Sequence, residues 1–144
     1  MADVEMAFGS YYWSGNTTAS ANAAATPIKC AGTTTTQLLN GFTHSGTNRL
    51  TYTGTTTLYF QVTAGLSSSA SAATDAAEFH IYKNGAIVTG STVERKMPIS
   101  DIGAFSICSL VSLATNDYIE IWCETSDGDD ITITDGCVSV STVG

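Results

Sequence analysis

The chain has 144 residues, one domain's worth, and its 43% hydrophobic content supports a globular core over wholesale disorder. Small and β-branched residues dominate (23 Thr, 16 Ser, 17 Ala, 13 Gly) and only 12% of the chain is charged, which argues against helical bundles and coiled coils and for a sheet protein with short turns. A net charge of −8 with five scattered basic residues excludes a phosphate-tracking nucleic-acid surface and a polybasic membrane contact.

The N-terminal segment Met1-Ala2-Asp3-Val4-Glu5 is acidic and lacks the apolar stretch of a secretory signal, so synthesis in a cytosol is expected. No apolar run approaches the roughly 20 residues of a spanning helix. Next comes an aromatic cluster, Phe8-Gly9-Ser10-Tyr11-Tyr12-Trp13, and then a small, polar, aperiodic stretch to Thr26. Together, residues 1–27 read as an extended N-terminal arm, with the sheet domain occupying 28–144. A solvated tail has little use for three adjacent large aromatics. Either they fold back on the domain or they dock on a partner, as aromatic anchors do at interface centres.

From Pro27 the pattern becomes strands. Residues 28–31 and 33–36 are β-prone, and 43–48 form a loop. Residues 49–53 alternate, with Leu50 and Tyr52 on one side. Residues 57–64 alternate again: Leu58, Phe60, Val62 and Ala64 share one face, Tyr59, Gln61 and Thr63 the other. The Ser/Ala-rich 65–73 reads as a strand fraying into a loop. Asn84-Gly85 between β-prone runs predicts a two-residue hairpin pairing Ile81 with Val88 and Tyr82 with Ile87. Along 104–113, Phe105, Ile107, Val111 and Leu113 oppose Cys108 and Leu110, a pattern suited to burial on both sides. Ile119, Ile121 and Cys123 point inward from 118–124. Two final strands, 131–134 and 137–143, are separated by a turn at Asp135-Gly136. Eight to ten short strands with frequent turns predict an all-β, antiparallel β-sandwich or barrel. A single-layer β-structure on a multichain stem is the alternative.

The chemistry-bearing residues are few. Cys30, Cys108, Cys123 and Cys137 form no C-x-x-C pair and have no histidine at zinc-finger spacing. Four reduced thiols are expected, with one bridge between neighbouring strands as the alternative. His44 falls in a loop and His80 on the outward phase of a strand. There is no G-x-S-x-G, H-E-x-x-H or phosphate-cradling glycine motif, so no enzyme activity and no catalytic residues are expected. Asp127-Gly128-Asp129-Asp130 has the carboxylates of a calcium loop but lacks an EF-hand's twelfth-position Glu, and reads as a solvated turn. No cofactor and no metal are expected.

One series of segments occurs in order: Ala31-Gly32-Thr33-Thr34-Thr35, Asn40-Gly41-Phe42, Asn48-Arg49-Leu50-Thr51-Tyr52-Thr53-Gly54, Tyr82-Lys83-Asn84-Gly85, Glu94-Arg95-Lys96, and Leu113-Ala114-Thr115-Asn116-Asp117-Tyr118-Ile119-Glu120-Ile121-Trp122. The series covers about residues 28–144 and resembles small tailed-bacteriophage structural proteins carrying a jelly roll of the tumour-necrosis-factor type. The resemblance implies a homotrimer on a three-fold axis at the virion surface, made in the host cytoplasm. It covers two roles: a capsid decoration (cement) protein partnered by the major capsid protein, and a tail- or head-fibre tip that binds a host receptor or surface glycan. With only a short arm and neither heptads nor a collagen-like shaft, the chain suits decoration better. On that reading Phe8, Tyr11, Tyr12 and Trp13 anchor the arm on the capsid. Family analogy places aromatics along the three-fold axis, for which Tyr52, Tyr59, Tyr118 and Trp122 are the candidates.

Overall fold

The computed structural model describes residues 6–143, and all regular structure among them is β. Two antiparallel sheets face each other across one core. The six-stranded sheet runs β11 (Gly103–Leu113), β7 (Leu58–Ala70), β13 (Ile131–Thr142), β1 (Phe8–Trp13), β4 (Thr35–Asn40), with the short β2 (Ala19–Ser20) paired to β13. The seven-stranded sheet runs β10 (Val93–Met97), β8 (Thr74–Lys83), β12 (Tyr118–Thr125), β6 (Leu50–Tyr52), β5 (Phe42–His44). In it β3 (Ile28–Lys29) pairs with β12 and β9 (Ala86–Ile87) with β8. Strand neighbours are mostly distant in sequence, as in a jelly roll.

Period-two alternation builds the core. Phe60, Val62, Ala64 and Leu66 from β7 meet Phe79 and Ile81 from β8, Ile107 and Leu113 from β11, and Ile119, Ile121 and Cys123 from β12. Phe42, Tyr52 and Phe60 form an aromatic cluster with centroids 5.0–5.3 Å apart. The predicted hairpin is present: Asn84 and Gly85 have φ of 51° and 80°, Tyr82 pairs with Ile87, and the Val88 N–H donates to the Ile81 carbonyl at 2.8 Å.

One buried polar residue ties the two sheets together. Asn48 is fully buried, at φ 54°, a left-handed conformation that Asn tolerates. Its Nδ2 donates to the carbonyls of Cys30 (3.1 Å) and Ile121 (2.7 Å). Its Oδ1 accepts from the Tyr11 hydroxyl (2.5 Å) and the Ile121 N–H (3.1 Å). All four hydrogen-bonding positions of the amide are filled, so burial leaves nothing unpaired.

Four expectations are corrected. The aromatic cluster is not an arm: Phe8–Trp13 is β1, hydrogen-bonded between β13 and β4, with Tyr11 and Trp13 buried in the core. The following stretch crosses from one sheet to the other and is tied down on its way. Asn16 Nδ2 donates to the Ile133 carbonyl at 2.7 Å, Asn22 Nδ2 to the Asp129 carbonyl at 3.1 Å, and the Ala25 N–H to the Thr125 carbonyl at 2.8 Å. Residues 1–5 lie outside the described residues. Second, β7 continues through the serines to Ala70 because β11 and β13 pair with it on both sides, overriding their weak propensity. Third, Asp135-Gly136 is paired strand within one continuous β13, just after a bulge at Thr134, and not a turn between two strands. Fourth, Cys108 and Leu110 are exposed, so β11 is buried on one side only.

Candidate interaction surface

The outward faces of the two sheets differ in kind. Cross-strand register places Ser106, Gly65, Cys137, Tyr12 and Thr35 in one row across the six-stranded sheet. The next row is Cys108, Thr63, Ser139, Ser10 and Leu38, and the third is Leu110, Gln61, Ser141, Phe8 and Asn40. Tyr59 follows, opposite Ser112. None of these side chains is charged, and Asp135, at the bulge, is the single charged residue in any strand of this sheet. Tyr59, Leu110 and Leu38 are 69%, 65% and 66% exposed. Gly65 sits mid-strand with an ordinary φ, and a methyl group there would meet nothing within 4 Å. Its own chain does not need a glycine there; strand glycines often mark the close approach of another backbone.

The seven-stranded sheet carries charge on β3, β8, β10 and β12. Glu120 is 2% exposed, yet Lys29 Nζ and the Arg49 guanidinium lie 2.9 Å from its Oε2, and Trp122 Nε1 donates to its Oε1 at 3.1 Å. Burial alone would raise this carboxyl. The bonds from Lys29, Trp122 and Arg49 hold it below the usual carboxylate range. Trp122 stacks on Tyr82 at 4.1 Å, and Arg49 lies 3.9 Å over the Tyr118 ring. Asp117 bonds Lys83 (3.2 Å) and Asn84 (2.8 Å). These groups complete one another within a single chain.

The sequence candidates therefore separate. Phe8, Tyr12 and Tyr59 share the uncharged face. Tyr11 and Trp13 are core residues: the Tyr11 ring stacks on His44 at 4.9 Å, and Trp13 Nε1 donates to the Ala31 carbonyl at 3.2 Å. They cannot anchor a capsid-docking arm. Tyr52 is buried in the core, which removes it from any seam. Tyr118 and Trp122 lie on the other sheet, engaged with Arg49 and Tyr82. The signal that separates these groups was alternation: Tyr11 and Trp13 are in phase with each other and out of phase with Phe8 and Tyr12.

The histidines also have partners. His44 bonds the hydroxyls of Thr34 (2.7 Å) and Thr36 (2.8 Å), and burial lowers its pKa. His80 lies on the outward phase of β8, across from Trp122, but it is covered there, and its Nδ1 meets the Thr92 hydroxyl at 2.9 Å. Glu78, His80 and Glu124 are the one group of His, Cys, Asp or Glu side chains among the described residues arranged closely enough to hold a metal ion. The 127–130 segment closes as a turn, with Gly128 at φ 85° and its N–H donating to the Thr125 hydroxyl at 3.1 Å. All four cysteines are free thiols. Burial pushes the Cys30 thiol up. Its hydrogen bond to Cys123 pulls the Cys123 thiol down.

No protein-family model matches this sequence, and no curated protein matches it. Solved structures match through the fold. Murine APRIL superposes with a TM-score of 0.65 at 9% identity, over 96% of this chain and 100% of that one. PRD1 vertex protein P5 gives 0.60 at 12% identity, over 96% and 97%. Eiger TNF from S. frugiperda gives 0.55 at 12% identity, over 96% and 94%. At these identities the likeness is one of fold, and the fold is a tumour-necrosis-factor-like jelly roll.

Proposed function

We propose that this chain is a homotrimeric structural protein of a bacteriophage virion, which decorates the capsid exterior and ties neighbouring capsid subunits together. The observation that carries the proposal is the uncharged, glycine-centred outer face of the six-stranded sheet. A contiguous apolar and hydroxylated face with no charge resembles an interface core more than a solvated surface. Its occupant is a second copy of the chain, and three copies close around an axis with this face turned inward. The likeness in fold to PRD1 vertex protein P5 supports the virion setting.

With β1 built into the sheet, capsid contact falls to the 98–102 loop, where Ile99 and Ile102 are 60% and 67% exposed. One such loop per protomer gives three weak apolar contacts on a rigid body, and these bind far more tightly together than singly. No catalytic step is part of this role. The test is co-sedimentation with capsids stripped of the protein. Wild type should bind saturably, while Ile99→Asp/Ile102→Asp should stay oligomeric and not bind. Capsid binding that is unchanged in the double variant contradicts this docking surface. Wild type that ignores capsids contradicts decoration itself.

The likeness to a vertex protein favours one second reading, a fibre- or vertex-tip module that binds a host receptor. Reproducible binding on an array of host surface glycans, with no affinity for capsids, would select it.

A further inference from the structure

We propose that Glu78, His80 and Glu124 form a binding site for a first-row divalent transition-metal ion, with Zn²⁺ the closest chemical match. The three side chains come from adjacent strands. Glu124 lies directly across from Glu78, and Trp122 directly across from His80. Glu94 of β10 flanks Glu78 on its other side. Like charges directly opposite in an antiparallel pair oppose folding unless something positive lies between them.

His80 supplies the second observation. The residue is 2% exposed, and its Nε2 has no hydrogen-bond partner among the described residues. That nitrogen points at both carboxylates, 3.6 Å from Glu78 Oε2 and 3.5 Å from Glu124 Oε1. These distances are too long for N–H···O hydrogen bonds. If the proton is instead on Nδ1, donated to Thr92, the Nε2 lone pair faces two further acceptors. Neither neutral tautomer satisfies the site, and an imidazolium would hold its Nε2–H beyond hydrogen-bonding distance of both carboxylates, whereas a metal ion satisfies all three groups.

The geometry suits a small tetrahedral ion. Ligand atoms about 2.0–2.1 Å from zinc lie about 3.3–3.4 Å apart in a tetrahedron. The two histidine–carboxylate separations come close to this, and all three ligand atoms lie within 4.8 Å of one another. One imidazole and two carboxylates are too few oxygens for calcium, and the imidazole favours zinc-like ions over magnesium. Thr92 would orient the ring by accepting the Nδ1–H, as a hydrogen-bond partner on the far nitrogen does for most metal-bound histidines. The Glu78 and Glu124 side chains are 26% and 19% exposed, so an ion reaches the site from solvent and finds a fourth position open to water. Bound there, it would pin β8 to β12.

The test is titration of the full-length chain with Zn²⁺ by calorimetry, with Co²⁺ absorption as a ligand-sensitive probe. Cys108→Ser/Cys137→Ser serves as the background, to remove exposed thiols. One ion per chain, a raised melting temperature, and a Co²⁺ spectrum without thiolate charge-transfer bands are expected. Glu124→Gln, an isosteric change at a partly exposed position, should keep the apo fold and abolish saturable binding. Thr92→Val should weaken binding about tenfold by releasing the ring. No saturable binding to the background protein, or binding that Glu124→Gln leaves intact, would overturn the proposal.

Discussion

The outer face of the six-stranded sheet is uncharged and open; that of the seven-stranded sheet is charged and, apart from the Glu78–His80–Glu124 group, internally paired. On the second, Glu120 has Lys29 and Arg49, Trp122 has Tyr82, and Asp117 has Lys83 and Asn84. On the first, Tyr59, Leu110 and Leu38 stand among serines, threonines and a glycine that no neighbour crowds. Both faces are built from the same alternating strands over the same core. The difference therefore lies in what the outward positions expect to meet: water and one another on the charged face, another protein surface on the uncharged one.

The largest effect should come from removing β1. Deleting residues 1–26 takes out the strand between β13 and β4, with Tyr11 and Trp13, so the truncated chain should lose its cooperative thermal transition. A folded truncated protein would restore the arm. Trp13→Ala alone should cost about 3–5 kcal/mol in chemical denaturation, the range for emptying a buried aromatic site. Asn48→Ala should fall near it, at about 3 kcal/mol or more. It strands the Tyr11 hydroxyl, the Ile121 N–H and two carbonyls together.

A smaller effect probes the charged face. Glu120→Ala leaves Lys29 and Arg49 without their carboxylate, and should cost about 2–3 kcal/mol, below the fully buried case because both cations reach solvent. The pH dependence has a definite sign. The folded-state pKa of Glu120 is depressed, so its contribution is fully present above the ordinary glutamate value of about 4.3 and is lost as pH falls through the lower folded value. Glu120→Gln should flatten the stability profile on the acid side of that value. An unchanged acid limb would mean that the Lys29–Glu120–Arg49 cluster contributes no net pairing.

The smallest change in folding stability should come from Gly65→Lys, which has room in its own chain and should keep the monomer fold within about 1 kcal/mol. It should still break self-association, since it places a charge at the centre of the uncharged face. Thiol labelling sharpens the same contrast. Cys30 and Cys123 should react only after unfolding, whereas Cys108 and Cys137 should react slowly in wild type and rapidly in Gly65→Lys. Equal, rapid labelling in both would show the face to be solvated.

Much of this was legible in the sequence where the signal was local. The inward sets of β7, β11 and β12 and the Asn84-Gly85 hairpin follow from alternation and turn chemistry. β1 was obscured by the low-complexity 14–26 that follows it, because its partners lie at 35–40 and 136–141, far along the chain. Asp135-Gly136 has the residue types of a turn, and only its pairing to β7, past the bulge at Thr134, shows it to be strand. Of the surface candidates, phase places Tyr59 and Trp122 opposite the core-facing residues of their strands, and it puts Tyr52 on the face of Leu50, where its ring packs on Phe42 and Phe60 in the core. The Glu78–His80–Glu124 group was hidden: register across β8 and β12 assembles it, and no sequence spacing announces it.

The central claim is that the uncharged face is where copies of this chain meet. Light scattering on the purified protein, at low and high salt, tests it most directly. The account predicts a salt-insensitive mass three times that of the 15.0 kDa chain for wild type, and a monomer for Gly65→Lys. A wild-type monomer at both salts, or a Gly65→Lys variant that keeps the threefold mass, would contradict it.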